Sequence, residues 1–516
     1  MIELHVGNRW SRVIGELPDT VQWKLVQRMK YLKKNFHQMP SYQNMDEDGN
    51  RKWDGNIRLY KRDEPVFTGL LSYIRKTLDE FQIEYCIVDH RERVFENAPD
   101  MILDPPAKYV PRDYQEFTVH RSVEFTRGII QVATGGGKTF MVTWLIGLLK
   151  VKPFIFYVLT KDLMYQAHST LAECLQTPIG LVGDGKCEIY DVNVVMVQSA
   201  VRCLHKNDAK FNPKSYRFDQ EDVWDDKEIF QESDANRVLE LLETASGIYF
   251  DEVHHAAALT CQEVLNASPN AYWRYGGSAT PERDDGEDMV IQGLFGKRIV
   301  NISAGYLIKR EFLVPCHVFC THLEADAGGF TKYPQIYKHC VSGNEDFDRD
   351  IAETVDFLVK RGKICLVLVQ HISHGKKLNK LIKDSEFLTG KDSSKKRKRV
   401  IEAARNREIQ VVIATTLADE GLDIKPIDAV FMVGGGSSVT RVPQRVGRCL
   451  RTSERKEIGM FFYFRFPVKY LLQQAQKVHR VLSAEEEFKM HRSHGFDELR
   501  REIALVLNTK QKGLFQ

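Results

Sequence analysis

Residues 129–149 read IIQVATGGGKTFMVTWLIGLL, and this stretch decides the fold. Its first four residues form a run that predicts a buried strand, and the apolar residues from Phe140 to Leu149 predict a helix. A glycine-rich turn separates the two elements. A strand that passes through a tight turn into a helix is the building unit of α/β domains with parallel sheets. The stretch therefore predicts a domain of this class.

The turn has the composition of a phosphate-binding loop. Its small residues allow backbone N–H groups to point inward at a phosphate. Lys138 is placed to reach the β and γ oxygens of a nucleotide, and Thr139 to offer its hydroxyl to Mg²⁺. Val132 occupies a position where the strict pattern has glycine. The sequence therefore predicts an ATP-binding loop made of Thr134, Gly135, Gly136, Gly137, Lys138 and Thr139.

A phosphate-binding loop needs a carboxylate for its metal ion, and residues 248–254, IYFDEVH, supply one after an apolar strand. Asp251 is predicted to hold Mg²⁺ directly or through water. Glu252 is predicted to orient and deprotonate the attacking water, because water is a poor nucleophile without a positioned base. Lys138, Asp251 and Glu252 are therefore candidate catalytic residues.

The alternation of strands and helices continues through most of the chain. A first α/β lobe is predicted over residues 106–305 and a second over residues 306–467. The residues before the first lobe end at Asp104-Pro105-Pro106, which predicts a separate N-terminal domain over residues 1–105. Apolar residues recur at helical spacing after the second lobe and predict a C-terminal helical segment over residues 468–516.

Composition places the chain among soluble globular proteins. The 516 residues are 43% hydrophobic and 28% charged. No apolar run approaches the roughly 18 to 20 residues that span a bilayer, and the N-terminus lacks the pattern of a secretory signal. These features predict a cytoplasmic protein without a membrane partner.

The net charge and the cysteines do not by themselves indicate a ligand or a metal site. The net charge is +3, and basic residues outnumber acidic ones from Arg441 to the end of the chain. The ten cysteines include no CxxC pair, which favours reduced thiols over disulfides or a cysteine–histidine metal site.

Six further segments, taken in chain order, resemble the numbered motifs of superfamily 2 helicases. They are 112–115 (RDYQ), 197–200 (VQSA), 278–281 (SATP), 366–371 (LVLVQH), 415–423 (TTLADEGLD) and 444–451 (QRVGRCLR). The resemblance covers most of the chain after residue 110. It implies an α/β fold of two tandem RecA-like lobes with parallel sheets, a small α/β N-terminal domain and a C-terminal helical segment. It also implies ATP hydrolysis with Mg²⁺.

The resemblance implies roles for residues of these segments. The residues that would contact ATP are Arg112, Gln115, Gly421 and Asp423. Those that would hold a nucleic-acid strand are Gln198, Ser199 and Thr415. Those that would link hydrolysis to strand movement are His254, Ser278 and Thr280.

The last of the six segments carries the catalytic candidates of the second lobe, Gln444, Arg448 and Arg451. Arg448 and Arg451 lie three apart on a helix predicted over 441–451, so they would share one face. An arginine from the opposite lobe stabilises the charge that spreads over a transferred phosphoryl group. We therefore expect hydrolysis to be coupled to closure of the two lobes.

The N-terminal domain contains KWDGNIRL at 52–59 and FTGL at 67–70. These sequences resemble the first domain of the UvsW-type branch-migration helicases of tailed bacteriophages, and they imply DNA contacts by Trp53 and Arg58. The alternative is a purely structural role, because Asp54-Gly55 is a strong hairpin-turn signal.

Residues 204–237 form an insertion relative to that group. The segment is polar and becomes acidic toward its end. A surface loop is one interpretation, and a flap over the strand channel is the other. Acidic residues would repel nucleic-acid phosphates, which favours the surface loop.

The sequence predicts an ATP-dependent DNA helicase or translocase with a monomeric core. It would bind single-stranded and branched DNA and remodel forks and Holliday junctions in recombination, repair and replication. Three alternatives remain: an RNA helicase, a non-catalytic DNA-binding scaffold, and the motor subunit of a restriction enzyme, for which Glu487-Phe488-Lys489 resembles half of a nuclease centre. ATPase stimulation by DNA and by RNA distinguishes the first.

Overall fold

The computed structural model describes residues 1–45, 51–208, 230–281, 283, 286–415, 427–434, 441–453 and 456–511. Two compact units make up the chain. The first consists of Met1–Val132 and Gly137–Asn301, and the second of Ala133–Gly136 and Ile302–Gln516.

The N-terminal region of the first unit is a small α/β arrangement. Its strands are β1 (Ile2–Val6), β2 (Trp10–Ile14), β3 (Lys30–Leu32), β4 (Asn56–Arg58), β5 (Val66–Phe67) and β6 (Tyr85–Asp89). Its helices are α1 (Asp19–Arg28), α2 (Pro40–Gln43) and α3 (Leu71–Glu80). Four strands form a sheet of order β5-β2-β1-β6, and β3 pairs antiparallel with β4.

The rest of the first unit is built on an eight-stranded sheet. Its strands are β7 (Arg127–Val132), β8 (Phe154–Val158), β9 (Ile179–Gly183), β10 (Lys186–Glu188), β11 (Val192–Met196), β12 (Gly247–Asp251), β13 (Trp273–Ser278) and β14 (Arg298–Ile302). The strand order is β10-β9-β11-β8-β12-β13-β7-β14. The six strands from β9 to β7 in this order are parallel to one another, and β10 pairs antiparallel with β9. Strands β8 and β11 are buried along their whole length, as expected for central strands that are covered on both faces.

Helices connect these parallel strands. They are α4 (Asp113–Phe125), α5 (Lys138–Leu149), α6 (Lys161–Cys174), α7 (Val197–Leu204), α8 (Glu232–Thr244), α9 (Leu259–Asn266) and α10 (Asp288–Phe295). Residues 209–229 of the predicted insertion lie outside the described residues. The end of the insertion is helical rather than a loop, because α8 begins at Glu232 and buries Ala235 against the core.

The second unit holds a seven-stranded parallel sheet. Its strands are β15 (Cys316–His322), β16 (Cys365–Val369), β17 (Ser385–Leu388), β18 (Val411–Thr415), β19 (Ala429–Met432), β20 (Gly459–Arg465) and β21 (Phe488–His494). The strand order is β17-β18-β16-β19-β20-β15-β21, with every neighbouring pair parallel. Its helices are α11 (Ala304–Lys309), α12 (Tyr333–Tyr337), α13 (Glu345–Val359), α14 (Ile372–Leu381), α15 (Ser394–Arg405), α16 (Arg441–Arg448), α17 (Leu471–Ser483) and α18 (Gly495–Gln511).

The predicted fold class is confirmed, with one addition at the C-terminus. Helices α17 and α18 form the expected helical segment, but β21 lies between them and pairs with β15. In this strand Phe488 and Ser493 are buried whereas Lys489 and His494 are exposed. No helix among the described residues is long and apolar enough to cross a membrane.

The N-terminal region and the eight-stranded sheet share one hydrophobic cluster. It includes Leu4, Leu25 and Leu70 of the N-terminal region together with Phe250 and Phe295 of the sheet layer. Gly69 lies at this junction, where a Cβ would overlap the carbonyl oxygen of Gln292 on α10. The two parts therefore pack as one body at Gly69, with no space for a side chain.

We expect Gly69→Ala to lower the free energy of unfolding of the first unit by about 1 to 3 kcal/mol, the usual cost of overpacking a filled core. Urea denaturation followed by tryptophan fluorescence would measure this loss. Ser72→Ala on the exposed face of α3 is the matched control and should leave the midpoint unchanged. An unchanged midpoint for Gly69→Ala would show that the junction accommodates a methyl group.

Candidate nucleotide site

The phosphate-binding loop leads directly into α5. Gly137 caps the helix with φ of 81°, in the left-handed region that side chains disfavour. Lys138 is the first helical residue, and its Nζ donates to the carbonyl of Val132 at 3.4 Å. The backbone N–H groups at this helix start are the ones that the sequence predicts to bind phosphate.

The segment 112–115, which contains two residues predicted to contact ATP, lies against this loop. The backbone N–H of Arg112 donates to Oε1 of Gln115 at 3.0 Å, which caps α4. Gln115 is buried, and its Nε2 lies so close to Gly137 that a Cβ there would come within 2.6 Å. Gln115 and the glycine of the loop are therefore in contact within the first unit.

Asp251 ends β12, next to the central strand β8. Its carboxylate accepts a hydrogen bond from the hydroxyl of Tyr249 at 3.4 Å. Burial and the charge of Glu252 raise the pKa of Asp251 to about 7, and the charge of Lys138 opposes this rise. The lysine and the two acids therefore interact electrostatically, as a cation site for a nucleotide requires.

Glu252 is held by Ser278, the last residue of β13. It has φ of 53°, a strained conformation for a residue with a side chain. The hydroxyl of Ser278 donates to Oε2 of Glu252 at 3.1 Å, and the backbone N–H of Thr280 donates to the same hydroxyl oxygen at 3.1 Å. Nδ1 of His254 lies 3.2 Å from this oxygen.

Since the single proton of the Ser278 hydroxyl goes to Glu252, Nδ1 of His254 acts as the donor in this pair. We call Asp251, Glu252, His254 and Ser278 the hydrolytic cluster. The structure thus brings together the predicted base and the residues predicted to couple hydrolysis to movement.

Mg²⁺ fits the donor set of the first unit. Thr139 offers a hydroxyl on the first turn of α5, and Asp251 offers a carboxylate at the end of β12. Hard oxygen donors of this kind are the ligands that Mg²⁺ prefers.

The second unit carries Gln444 and Arg448 on α16. The prediction of one helix through Arg451 is wrong, because α16 ends at Arg448. Turn hydrogen bonds from the N–H groups of Cys449 and Leu450 close the helix, and Arg451 instead forms a β-bridge with Leu313. The two arginines therefore do not share a helix face.

Gly447, next to Arg448, and Arg451 nevertheless lie close to residues of the phosphate-binding loop that belong to the same unit. A Cβ at Gly447 would overlap Cβ of Thr134, and a Cβ at Gly135 would lie 3.3 Å from Cγ of Arg451. Burial lowers the pKa of Arg451.

The three residues predicted to bind nucleic acid differ in how far their side chains are buried. Ser199 is buried in α7, and Nε2 of Gln198 donates to the carbonyl of Leu159 at 2.7 Å. Thr415 ends β18 and is also buried. Gly421 and Asp423, predicted to contact ATP, lie outside the described residues.

Trp53 and Arg58 make contacts within their own segment. Nε1 of Trp53 donates to the carbonyl of Asn56 at 2.8 Å, and Arg58 forms two hydrogen bonds with Asp54. The turn is not a hairpin between Trp53 and Ile57, because Ile57 pairs with Tyr31 of β3. These contacts favour a structural role and leave the DNA contacts a prediction.

Arg283, which contacts the hydrolytic cluster, was not identified from the sequence. NH1 of Arg283 donates to the carbonyl of His254. A main-chain acceptor leaves no trace in the sequence, so the only available signal was the nearness of Arg283 to the segment 278–281.

Two family models match the chain. Residues 108–283 match the family described as Type III restriction enzyme, res subunit, and residues 349–453 match the Helicase conserved C-terminal domain. The first match contains the phosphate-binding loop and the hydrolytic cluster, and the second contains α16. The chain belongs to the superfamily 2 helicases. The family and the class of ATP-dependent helicases predicted from the motifs are confirmed.

Among the curated proteins similar to this helicase are one from a filamentous virus and one from Sulfurisphaera tokodaii. One is "Putative helicase 22" of Sulfolobus islandicus filamentous virus, 31% identical over 242 residues, which are 43% of each chain. The chain therefore spans less than half of that relative. The other is "DNA 3'-5' translocase XPB2" of Sulfurisphaera tokodaii, 24% identical over 448 residues, which cover 79% of this helicase and 91% of the relative.

Two solved structures align with this helicase, and the first of them shares its fold. The restriction–modification enzyme LlaBIII bound to DNA aligns with a TM-score of 0.55 and 15% identity over 78% of this helicase and 32% of that chain. T4 UvsW aligns over 96% of this helicase and 99% of its own chain, with a TM-score of 0.43 and 17% identity.

Proposed function

We propose that this helicase hydrolyses ATP to move along DNA and to remodel forks and Holliday junctions in recombination, repair and replication. The hydrolytic cluster is the observation that carries the proposal. Its base, Glu252, is held by the Ser278 hydroxyl, and its acid, Asp251, interacts with Lys138 of the phosphate-binding loop. This arrangement suits activation of a water for attack on a γ-phosphate.

ATP would contact the phosphate-binding loop and helix α4. Lys138 and the backbone N–H groups of Gly135, Gly136 and Gly137 would bind the phosphates, and Gln115 the adenine. Thr139 and Asp251 would hold Mg²⁺, which when bound neutralises charge on the β and γ oxygens.

Glu252 would accept the proton of the attacking water at its carboxylate. The Ser278 hydroxyl would keep that carboxylate in place, and His254 and Thr280 would hold the hydroxyl. Gln444, Arg448 and Arg451 would complete the site when the two lobes close on ATP. Gly421 and Asp423 would contribute from the same lobe.

DNA is the proposed track. A relative of which this helicase covers 91% is named a DNA translocase. Gln198, Ser199 and Thr415 would hold one strand, the last two after local rearrangement of their buried side chains. Strand contacts of this kind go to the backbone, so sequence preference would be weak.

The choice of branched DNA rests on the N-terminal region. Its sequences at 52–59 and 67–70 resemble those of the UvsW-type helicases. The region is not a loosely attached module, since it shares a hydrophobic cluster with the eight-stranded sheet. Trp53 and Arg58 remain its proposed DNA-binding residues.

The test compares ATP hydrolysis and strand separation on matched substrates: a fork, a Holliday junction, a blunt duplex and a structured RNA. We expect the two branched DNAs to raise turnover and to be unwound, and the blunt duplex and the RNA to be poor substrates. Equal stimulation by RNA would instead indicate an RNA helicase. Divalent-metal-dependent cutting of plasmid DNA would indicate a restriction motor.

A further inference from the structure

Helix α10 follows the segment 278–281 and is the surface on which the N-terminal region packs. The hydroxyl of Tyr73 donates to Oε1 of Gln292 at 2.8 Å. The ring of Phe67 lies against Gly293, where a Cβ would come within 2.9 Å of the ring. The N-terminal region therefore rests on the helix that comes after Ser278 of the hydrolytic cluster.

A chain of polar contacts runs from the N-terminal region to this cluster. Lys33, which follows β3, forms an ion pair with Glu287, the residue that precedes α10. Glu287 also pairs with Arg283 through NH2 and Oε2 at 3.4 Å. Arg283 in turn donates to the carbonyl of His254. Three side chains thus connect the N-terminal region to the backbone of the cluster.

Burial strengthens these contacts. The side chain of Glu287 is only 11% exposed, and those of Arg283 and Lys33 are 23% and 34% exposed. A carboxylate with so little access to water depends on its cationic partners, because an unpaired buried charge is costly. The backbone N–H of Arg283 also donates to Asp288 at 2.7 Å, which fixes this residue at the start of α10.

The series of polar contacts ends at His254, where a small displacement would affect the proposed catalytic base. Nδ1 of His254 contacts the Ser278 hydroxyl, and that hydroxyl donates to Glu252. A shift of the His254 backbone would therefore move the group that orients the proposed base. Loss of alignment at a catalytic base lowers turnover without requiring loss of substrate binding.

We propose that Lys33, Glu287 and Arg283 are positioning residues through which the N-terminal region sets the geometry of the hydrolytic cluster. The N-terminal region is then a regulator of ATP hydrolysis as well as a candidate DNA contact. This inference rests on the proposed function, since it presupposes DNA-stimulated ATP hydrolysis.

The test measures kcat and KM for ATP with the full-length protein and a saturating fork DNA. We expect Lys33→Met to lower kcat by about threefold to thirtyfold, the range found for mutations along coupling networks, with KM for ATP unchanged. Lys33→Arg keeps the charge and should restore most of the loss. Glu287→Gln is close in shape to the native residue and should reproduce the loss in kcat if Lys33→Met fails to fold.

Tyr73→Phe is the matched control. This substitution removes a hydrogen bond to α10 in the same interface. It leaves the polar contacts from Lys33 to His254 intact, so the variant should retain the wild-type kcat. Equal losses for Tyr73→Phe and Lys33→Met would overturn the proposal, because the interface would then act only through stability. A wild-type kcat for both Lys33→Met and Glu287→Gln would also overturn it. A wild-type protein without DNA-stimulated hydrolysis would remove the proposed function together with this inference.

Discussion

Replacing Lys138 with alanine is expected to abolish ATP hydrolysis while DNA binding persists. The lysine is the first residue of α5, and its charge acts on Asp251. Its loss would remove the cation proposed to face the β and γ phosphates, whereas the residues proposed to hold DNA belong to other segments. Phosphate release in the presence of fork DNA would measure hydrolysis, and fluorescence anisotropy of labelled DNA would measure binding.

Lys186→Ala is the control for this change. Lys186 is an exposed lysine of the same unit, on β10, and its loss should leave turnover unchanged. Retained hydrolysis in Lys138→Ala would show that the nucleotide site is elsewhere. Loss of DNA binding together with hydrolysis would show that this lysine acts through the fold.

Arg448→Ala and Arg451→Ala are each expected to reduce DNA-stimulated turnover by about a thousandfold or more, the usual contribution of an arginine finger. ATP affinity should change little, because the arginines would act mainly on charge that develops in the transition state. An arginine that formed only a surface ion pair would contribute about 0 to 1 kcal/mol. The size of the loss in turnover therefore distinguishes an arginine finger from a surface arginine. Single-turnover hydrolysis and binding of a fluorescent ATP analogue would separate the two steps.

Arg480→Ala, at an exposed position of α17, provides the control for loss of one arginine from the second unit. Turnover within a few-fold of wild type for both Arg448→Ala and Arg451→Ala, with unchanged circular dichroism, would refute the finger assignment. A large effect for only one of them would be informative too, because α16 ends at Arg448 and the two residues occupy different local structures.

The parts of the fold that were predictable have strong hydrophobic patterns. The strands β8 and β16 are continuous apolar runs, so both their existence and their burial followed from the sequence. Strand β21 was not predictable in this way. Its sequence, FKMHRSH, is mostly polar, and its place is determined by backbone pairing with β15 at the edge of the sheet.

In the candidate site, too, some features could be predicted from the sequence and others could not. Lys138, Asp251 and Glu252 were predictable because phosphate and water chemistry admits few residue types at these positions. The contact between Arg283 and the His254 carbonyl was not, because any residue at 254 presents the same acceptor. The end of α16 before Arg451 was also missed, since the β-bridge that replaces the helix depends on the distant Leu313.

The hydrophobic cluster shared by the N-terminal region and the eight-stranded sheet bears on how the chain unfolds and how it can be cut. Elements that bury the same side chains open together, so we expect the amides of β1 and β12 to exchange as one cooperative unit. Removing residues 1–105 would expose the apolar face of α10 and favour aggregation of the remainder. We therefore expect this protein to tolerate an insertion or deletion better outside the N-terminal region than at the border of that region with the first lobe.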